Sequence, residues 1–147
     1  MTVKIKLLHP NAKIPEYKTD GASACDVCAA IDLPITIEPG EFALVPTGFA
    51  LDPGEGDFAI LLFARSGLAT KHGIALANGV GVIDPDYRGE VKVSLTNLSK
   101  SPYTITPGER IAQMMITPTI RATFAVADEL STTERGEGGF GHTGKSN

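Results

Sequence analysis

An all-β protein of short antiparallel strands, arranged as a jelly-roll-like sandwich or barrel, is what the sequence predicts. Glycine and proline punctuate the chain at regular intervals, in "EPGE" at 38–41, "DPGEGD" at 52–57, "DPDYRG" at 84–89 and "TPGER" at 106–110. The runs between them are short and rich in β-branched and aromatic residues, and none keeps a helical period for long. Strands this short and evenly spaced argue against a doubly wound α/β sheet.

Taken in order, the first strands are "KIKLL", "ITI" and "FALVPTGFAL". "FAILLFA" follows as a continuous apolar run ending at Arg65, and "SGLATKHG" after it is a turn or two of helix, the only helix candidate. "ANGVGVIDPDYRGEVKV", Ala77 to Val93, reads as a β-hairpin with Asp84 and Asp86 bracketing Pro85 at its tip. In "EVKVSLTN", Val91, Val93 and Leu95 face one way and Lys92, Ser94 and Thr96 the other. "RIAQMMI" and "IRATFAV" complete the set of strands. From Thr132 the chain is polar and glycine-rich, too poor in apolar surface to order alone, yet able to order over a ligand through Arg135 and Phe140.

With 147 residues the chain fits one domain, long enough to bury a core without a disulfide or metal. Its 42% apolar and 20% charged residues are ordinary for a globular protein. A formal net charge of −4 speaks against bulk nucleic-acid binding, so an anionic ligand must be held by a few placed cations or a metal ion. The N-terminal stretch has no continuous apolar segment and "FAILLFA" is far too short to cross a bilayer, so no membrane partner and a cytoplasmic location are expected.

Two motifs fail on context. "GFGHTGKS", Gly139 to Ser146, matches the phosphate-binding G-x-x-x-x-G-K-[ST] pattern, but no buried strand precedes it and no helix can follow it. The two cysteines, in "ACDVC", have a redox or metal spacing. The residues after Cys28 read as extended, however, and on a strand Cys25 and Cys28 point to opposite faces, so free thiols are expected. "ARSG" at the end of "FAILLFA" can aim a guanidinium, a hydroxyl and backbone N–H groups at an anion, though an ordinary turn with a surface arginine has the same residues.

"SACDVCA", "ARSG", "NGVGVIDPDYRG", "GERIAQ" and "RGEGGFGHTG", in this order and spacing, resemble the five motifs of the homotrimeric deoxyuridine triphosphatase (dUTPase) family, over nearly the whole chain. The resemblance implies a jelly-roll-like β-clip subunit, with a catalytic domain over residues 1–131 and a flexible arm over 132–147 that covers an active site of a neighbouring subunit. It also implies a homotrimer that hydrolyses dUTP to dUMP and pyrophosphate with Mg2+ on the triphosphate, each site drawing on all three chains. Such an enzyme limits uracil incorporation into DNA and supplies dUMP for thymidylate synthesis.

Carried over to matching positions, the family's roles fall as follows. Asp84 activates the attacking water, Asn78 pairs with the uracil edge beside the Gly79 backbone, and Val82 and Ile83 offer backbone groups. Tyr87 packs under the deoxyribose, where a 2′-hydroxyl would clash, and Lys92 lines the substrate site. Arg65, Ser66, Gly67 and Gln113 hold the phosphates. In the arm, Arg135 meets the γ-phosphate, Phe140 stacks on uracil, and His142 and Thr143 lie near the γ-phosphate, with His142 standing where the family more commonly has serine. Asp26 is associated with the metal–triphosphate region through water or a neighbouring arginine. Two readings stay beside this one: a dCTP deaminase of the same fold, and a trimeric nucleotide-sensing module without catalysis.

Overall fold

A computed structural model of the chain describes residues 1–139. Its described residues form eleven strands and one short helix, all strand pairs being antiparallel. Two larger sheets carry the core. One has the order β2 (Cys25–Cys28), β11 (Arg110–Pro118), β6 (Phe58–Ala64), β8 (Gly81–Ile83); the other is β4 (Phe42–Pro46), β9 (Lys92–Asn97), β7 (Ile74–Leu76). Two further two-stranded ribbons pair β1 (Lys4–Leu7) with β5 (Phe49–Asp52) and β3 (Ile35–Ile37) with β10 (Tyr103–Ile105).

The apolar patterns explain the placement of the strands. β6 is flanked by β11 and β8 and reads as an unbroken apolar run. β9 alternates, with Val93 and Leu95 buried and Lys92 exposed, because only one of its faces meets the core. Phe49, Val27, Val45, Ile60, Ile74 and Ile111 are among the fully enclosed side chains. The run "FALVPTGFAL" breaks into two strands at Gly48, whose φ of 70° is left-handed and where a Cβ would come within 2.7 Å of Ala30 Cβ. The helix α1, Ser66–His72, is the one expected after Arg65.

Two expectations change. The segment 77–93 is not a hairpin: β7 pairs with β9, whereas β8 crosses to the other sheet and pairs with β6. Neighbouring strands in sequence thus serve different sheets, which periodicity alone does not reveal. "IRATFAV" is not a strand either. Ile120, Phe124 and Val126 are almost wholly exposed, because the chain leaves its sheet after Pro118 and finds no partner among the described residues. Alternation marks a strand only where a sheet edge is there to receive it.

Candidate active site

A bulge in β11 builds the first half of the site. Gln113 pairs with Asp26 and Arg110 with Cys28, with a register shift between Arg110 and Ala112. Residues three apart on a regular strand face opposite ways, but one extra residue turns Arg110 and Gln113 to the same face, the one that also carries Asp26. Cys25, Val27, Ala112 and Met114 take the other face, into the core.

Asp26 is 6% exposed, and each of its oxygens has its own arginine. Arg110 Nη1 donates to Oδ2 at 2.8 Å, and Arg65 Nε lies 3.4 Å from Oδ1. Arg65 also donates from Nη1 to the Arg110 carbonyl at 3.0 Å, tying the end of β6 to the start of β11. A buried carboxylate shared by two guanidiniums holds both in fixed directions. Behind Arg110, Glu109 accepts hydrogen bonds from the Tyr103 hydroxyl and from Thr106 N and Oγ1, closing the β10–β11 turn. Burial, together with that bond to Glu109, pushes the Tyr103 hydroxyl up to about 12.

The cleft over this face has a volume of about 520 Å³ and is lined by Lys13, Lys18, Arg65 and Arg110 together with Glu16, Asp26 and Glu109, with Cys28 at its wall. Lys18 is paired with Glu16 and both arginines with Asp26, so an anion there would be held by Lys13 and the N–H groups of the two guanidiniums that Asp26 leaves over. Arg65 is the N-cap of α1, in extended conformation and with no side-chain capping bond, and Ser66 and Gly67, which follow it, are exposed. Both cysteines are free; burial raises the Cys25 and Cys28 thiols, so neither is an activated nucleophile.

The second half lies elsewhere. A cleft of about 360 Å³ is lined by Val82, Ile83, Asp84, Tyr87, Glu90 and Lys92, with Leu44 and Val91. The turn after β8 is closed by Tyr87 N donating to the Asp84 carbonyl at 3.1 Å. Tyr87 folds over Gly89, where a Cβ would sit 2.3 Å from its hydroxyl oxygen, and that hydroxyl donates to the Glu90 carbonyl at 3.1 Å. Only glycine leaves room for the ring there. Glu90 accepts from Gly48 N at 3.0 Å and lies 3.5 Å from Lys92 Nζ. Asn78 and Gly79 form an exposed turn at the other end of β8, held by Gly79 N on the Leu76 carbonyl.

The two clefts share no lining residue. Ile83 pairs with Ile60, so Asp84 falls about one residue further, opposite Ala59. From there to Arg65 is six residues of β6, roughly 20 Å at strand rise. Within one chain, the structure therefore does not bring Asp84, Tyr87 and Lys92 together with Asp26, Arg65 and Gln113. Arg135, in the C-terminal segment, donates from Nε to the Gly138 carbonyl at 2.8 Å and meets neither cleft's lining. Phe140, His142 and Thr143 lie outside the described residues.

Three lining cations were not among the expected site residues: Arg110, Lys13 and Lys18. Arg110 stands in "GERIAQ", but its three-residue spacing from Gln113 points it to the wrong face unless a bulge intervenes. Among the described residues, no three His, Cys, Asp or Glu side chains gather as a metal site, and no helix is long and apolar enough to cross a membrane.

An antiparallel β chain with this sheet order and two separate clefts defines a class of fold, the jelly-roll-like β-clip. Comparison with known proteins narrows it. The dUTPase family model matches residues 10–144. The deoxyuridine 5'-triphosphate nucleotidohydrolase of Paraburkholderia phymatum is 46% identical over 147 residues, covering 99% of each chain. That of Desulfotalea psychrophila is 52% identical over 131 residues, 89% of this chain and 87% of its own. Among solved structures, the Staphylococcus bacteriophage 80alpha dUTPase with dUPNHPP superposes with a TM-score of 0.88 at 28% identity, over 98% of this chain and 99% of that one. The fold is also shared by a phage phi11 dUTPase mutant, TM-score 0.79 at 23% identity over 88% of this chain and 98% of that one, whose structure concerns a structural Mg(II) ion. The chain belongs to the dUTPase family, whose reaction is the hydrolysis of dUTP to dUMP.

Proposed function

We propose that the site for dUTP is completed between chains of a homotrimer, the phosphate cleft of one subunit meeting the Asp84 cleft of another. The separation of Arg65 from Asp84 within one chain carries this reading, since a single α-phosphate must meet both. The exposed apolar segment with Ile120, Phe124, Val126 and Leu130 supports assembly, because such a stretch gains from burial against a second chain. We propose residues 1–131 as the catalytic domain and 132–147 as the arm laid over a neighbour's site.

In this reading Arg65, Ser66, Gly67 and Gln113 orient the α- and β-phosphates, and Arg135 with His142 and Thr143 holds the γ-phosphate. Asn78 pairs with uracil beside Gly79, Val82 and Ile83, and Phe140 stacks on the base; cytosine reverses the donor–acceptor pattern and leaves buried groups unpaired. Tyr87 packs on the deoxyribose and Lys92 borders it. Asp84 accepts the proton of a water aimed at the α-phosphorus. The new P–O bond forms as the α–β bridging bond breaks, and pyrophosphate leaves with the electron pair.

Both Asp26 oxygens are engaged by arginines and no metal cluster exists among the described residues. Substrate phosphates, with Asp26 acting through water, would hold a divalent ion, and Mg2+ would supply charge neutralisation on the triphosphate. We place the enzyme in the cytoplasm, with neither membrane nor nucleic acid as a partner.

A substrate panel tests the reading. Pyrophosphate release is expected from dUTP with Mg2+, and at least about 100-fold less from dCTP, dTTP or UTP. Ammonia from dCTP, or tight dUTP binding without hydrolysis, would overturn it.

A further inference from the structure

Arg88, which no role above uses, stands between the Asp84 turn and the β1–β5 ribbon. Its Nη1 donates to the Pro85 carbonyl at 2.6 Å and to the Tyr87 carbonyl at 3.2 Å, while Nη2 donates to Asp52 Oδ1 at 2.9 Å. One guanidinium therefore grips the turn on both sides of Asp86 and fastens it to β5. Asp52 is itself fixed. It accepts from Gly54 N at 3.2 Å and lies 3.7 Å from Lys4 Nζ, its cross-strand partner on β1. The Gly54 N–H bond, with Arg88 and Lys4 nearby, holds its carboxyl below the usual carboxylate range.

The turn held in this way carries Asp84 and Tyr87 into their cleft, and apart from the Tyr87 N–Asp84 bond and the Tyr87 hydroxyl it has few other ties. The Arg88 and Asp52 side chains are 50% and 38% exposed, so as a stabilising ion pair they are worth little. Three directed hydrogen bonds on a catalytic turn are a different matter: they fix position rather than add stability, and an error of an ångström at the reacting atoms is costly.

We propose that Arg88 and Asp52 are positioning residues, a clamp from the β1–β5 ribbon that sets the Asp84–Tyr87 turn for both water activation and sugar recognition. The inference rests on the roles proposed for Asp84 and Tyr87. It assigns to the N-terminal ribbon, which lines neither cleft, a part in the rate and in the preference for deoxyribose.

The experiment compares Arg88→Met, Asp52→Asn and the double variant, with Arg88→Lys and Asp52→Glu as conservative partners, on dUTP and UTP. Each single change should lower kcat on dUTP about tenfold and narrow the dUTP-over-UTP preference, with the melting temperature unmoved and little further loss in the double variant. Asp52→Glu should recover much of the rate; Arg88→Lys should recover less, because one ammonium cannot span two carbonyls and a carboxylate. Unchanged kcat and sugar preference, additive losses, or losses that merely follow a fall in melting temperature would overturn the clamp. Full activity in these variants beside an inactive Asp84→Asn enzyme would refute the clamp alone, leaving the proposed role of Asp84 standing.

Discussion

Asp84→Asn should lower turnover of dUTP by about 100- to 10,000-fold while leaving nucleotide binding nearly intact. The substitution conserves size and a hydrogen-bonding oxygen, but a carboxamide cannot take the proton of the attacking water. Nothing else in the turn should move. The bond that closes it uses the backbone carbonyl of residue 84, and Arg88 holds the carbonyls of Pro85 and Tyr87, so none depends on the Asp84 side chain. Single-turnover pyrophosphate release measures the chemistry, and titration with a non-hydrolysable dUTP analogue measures binding. Wild-type turnover in the variant would remove Asp84 from the reaction; lost binding would make it a ligand of the substrate instead.

Asp26→Ala should damage both fold and function. Its carboxylate is buried and shared between Arg65 and Arg110, so truncation leaves two neighbouring cations uncompensated. The two guanidiniums are 23% and 47% exposed, so water compensates part of the loss and the cost falls below that of breaking a fully buried pair. If Arg65 holds the phosphates as proposed, turnover should fall at least about 100-fold, because Arg65 loses the partner that fixes its direction. Asp26→Asn separates the two effects: it keeps an acceptor and the packing, and should recover most of the stability but little of the rate. Urea unfolding and initial rates against Mg2+ concentration are the measurements. Cys28 provides the contrast on the same strand face, since Cys28→Ala should leave turnover unchanged; a loss there with Asp26→Asn fully active would move the function from the carboxylate to the thiol.

Much of the fold is legible because local pattern and burial agree. β9 alternates since it has one wet face, β6 does not since strands flank it, and α1 begins where "FAILLFA" gives way to Ser-Gly. Long-range pairing is what local pattern cannot carry. β8 belongs with β6 and not with its sequence neighbour β9, and "IRATFAV" has the alternation of a strand but no partner among the described residues. The candidate site divides along the same line. Its residues stand out as short motifs, yet their distribution over two clefts depends on strand register, and Arg110 joins Asp26 only through a bulge one residue long.

That distribution underlies the proposal that catalysis requires Arg65 from one subunit and Asp84 from another. Mixing two inactive variants tests it most directly. Arg65→Ala and Asp84→Asn chains, each unable to turn over dUTP alone, are unfolded together, refolded at equal amounts and assayed. In randomly assembled three-fold rings with sites between subunits, about a quarter of all sites would unite an intact Arg65 with an intact Asp84. Recovery of about that fraction of wild-type activity is predicted. No recovery in demonstrably mixed oligomers would mean that both residues serve from the same chain and would rule out a site shared between subunits.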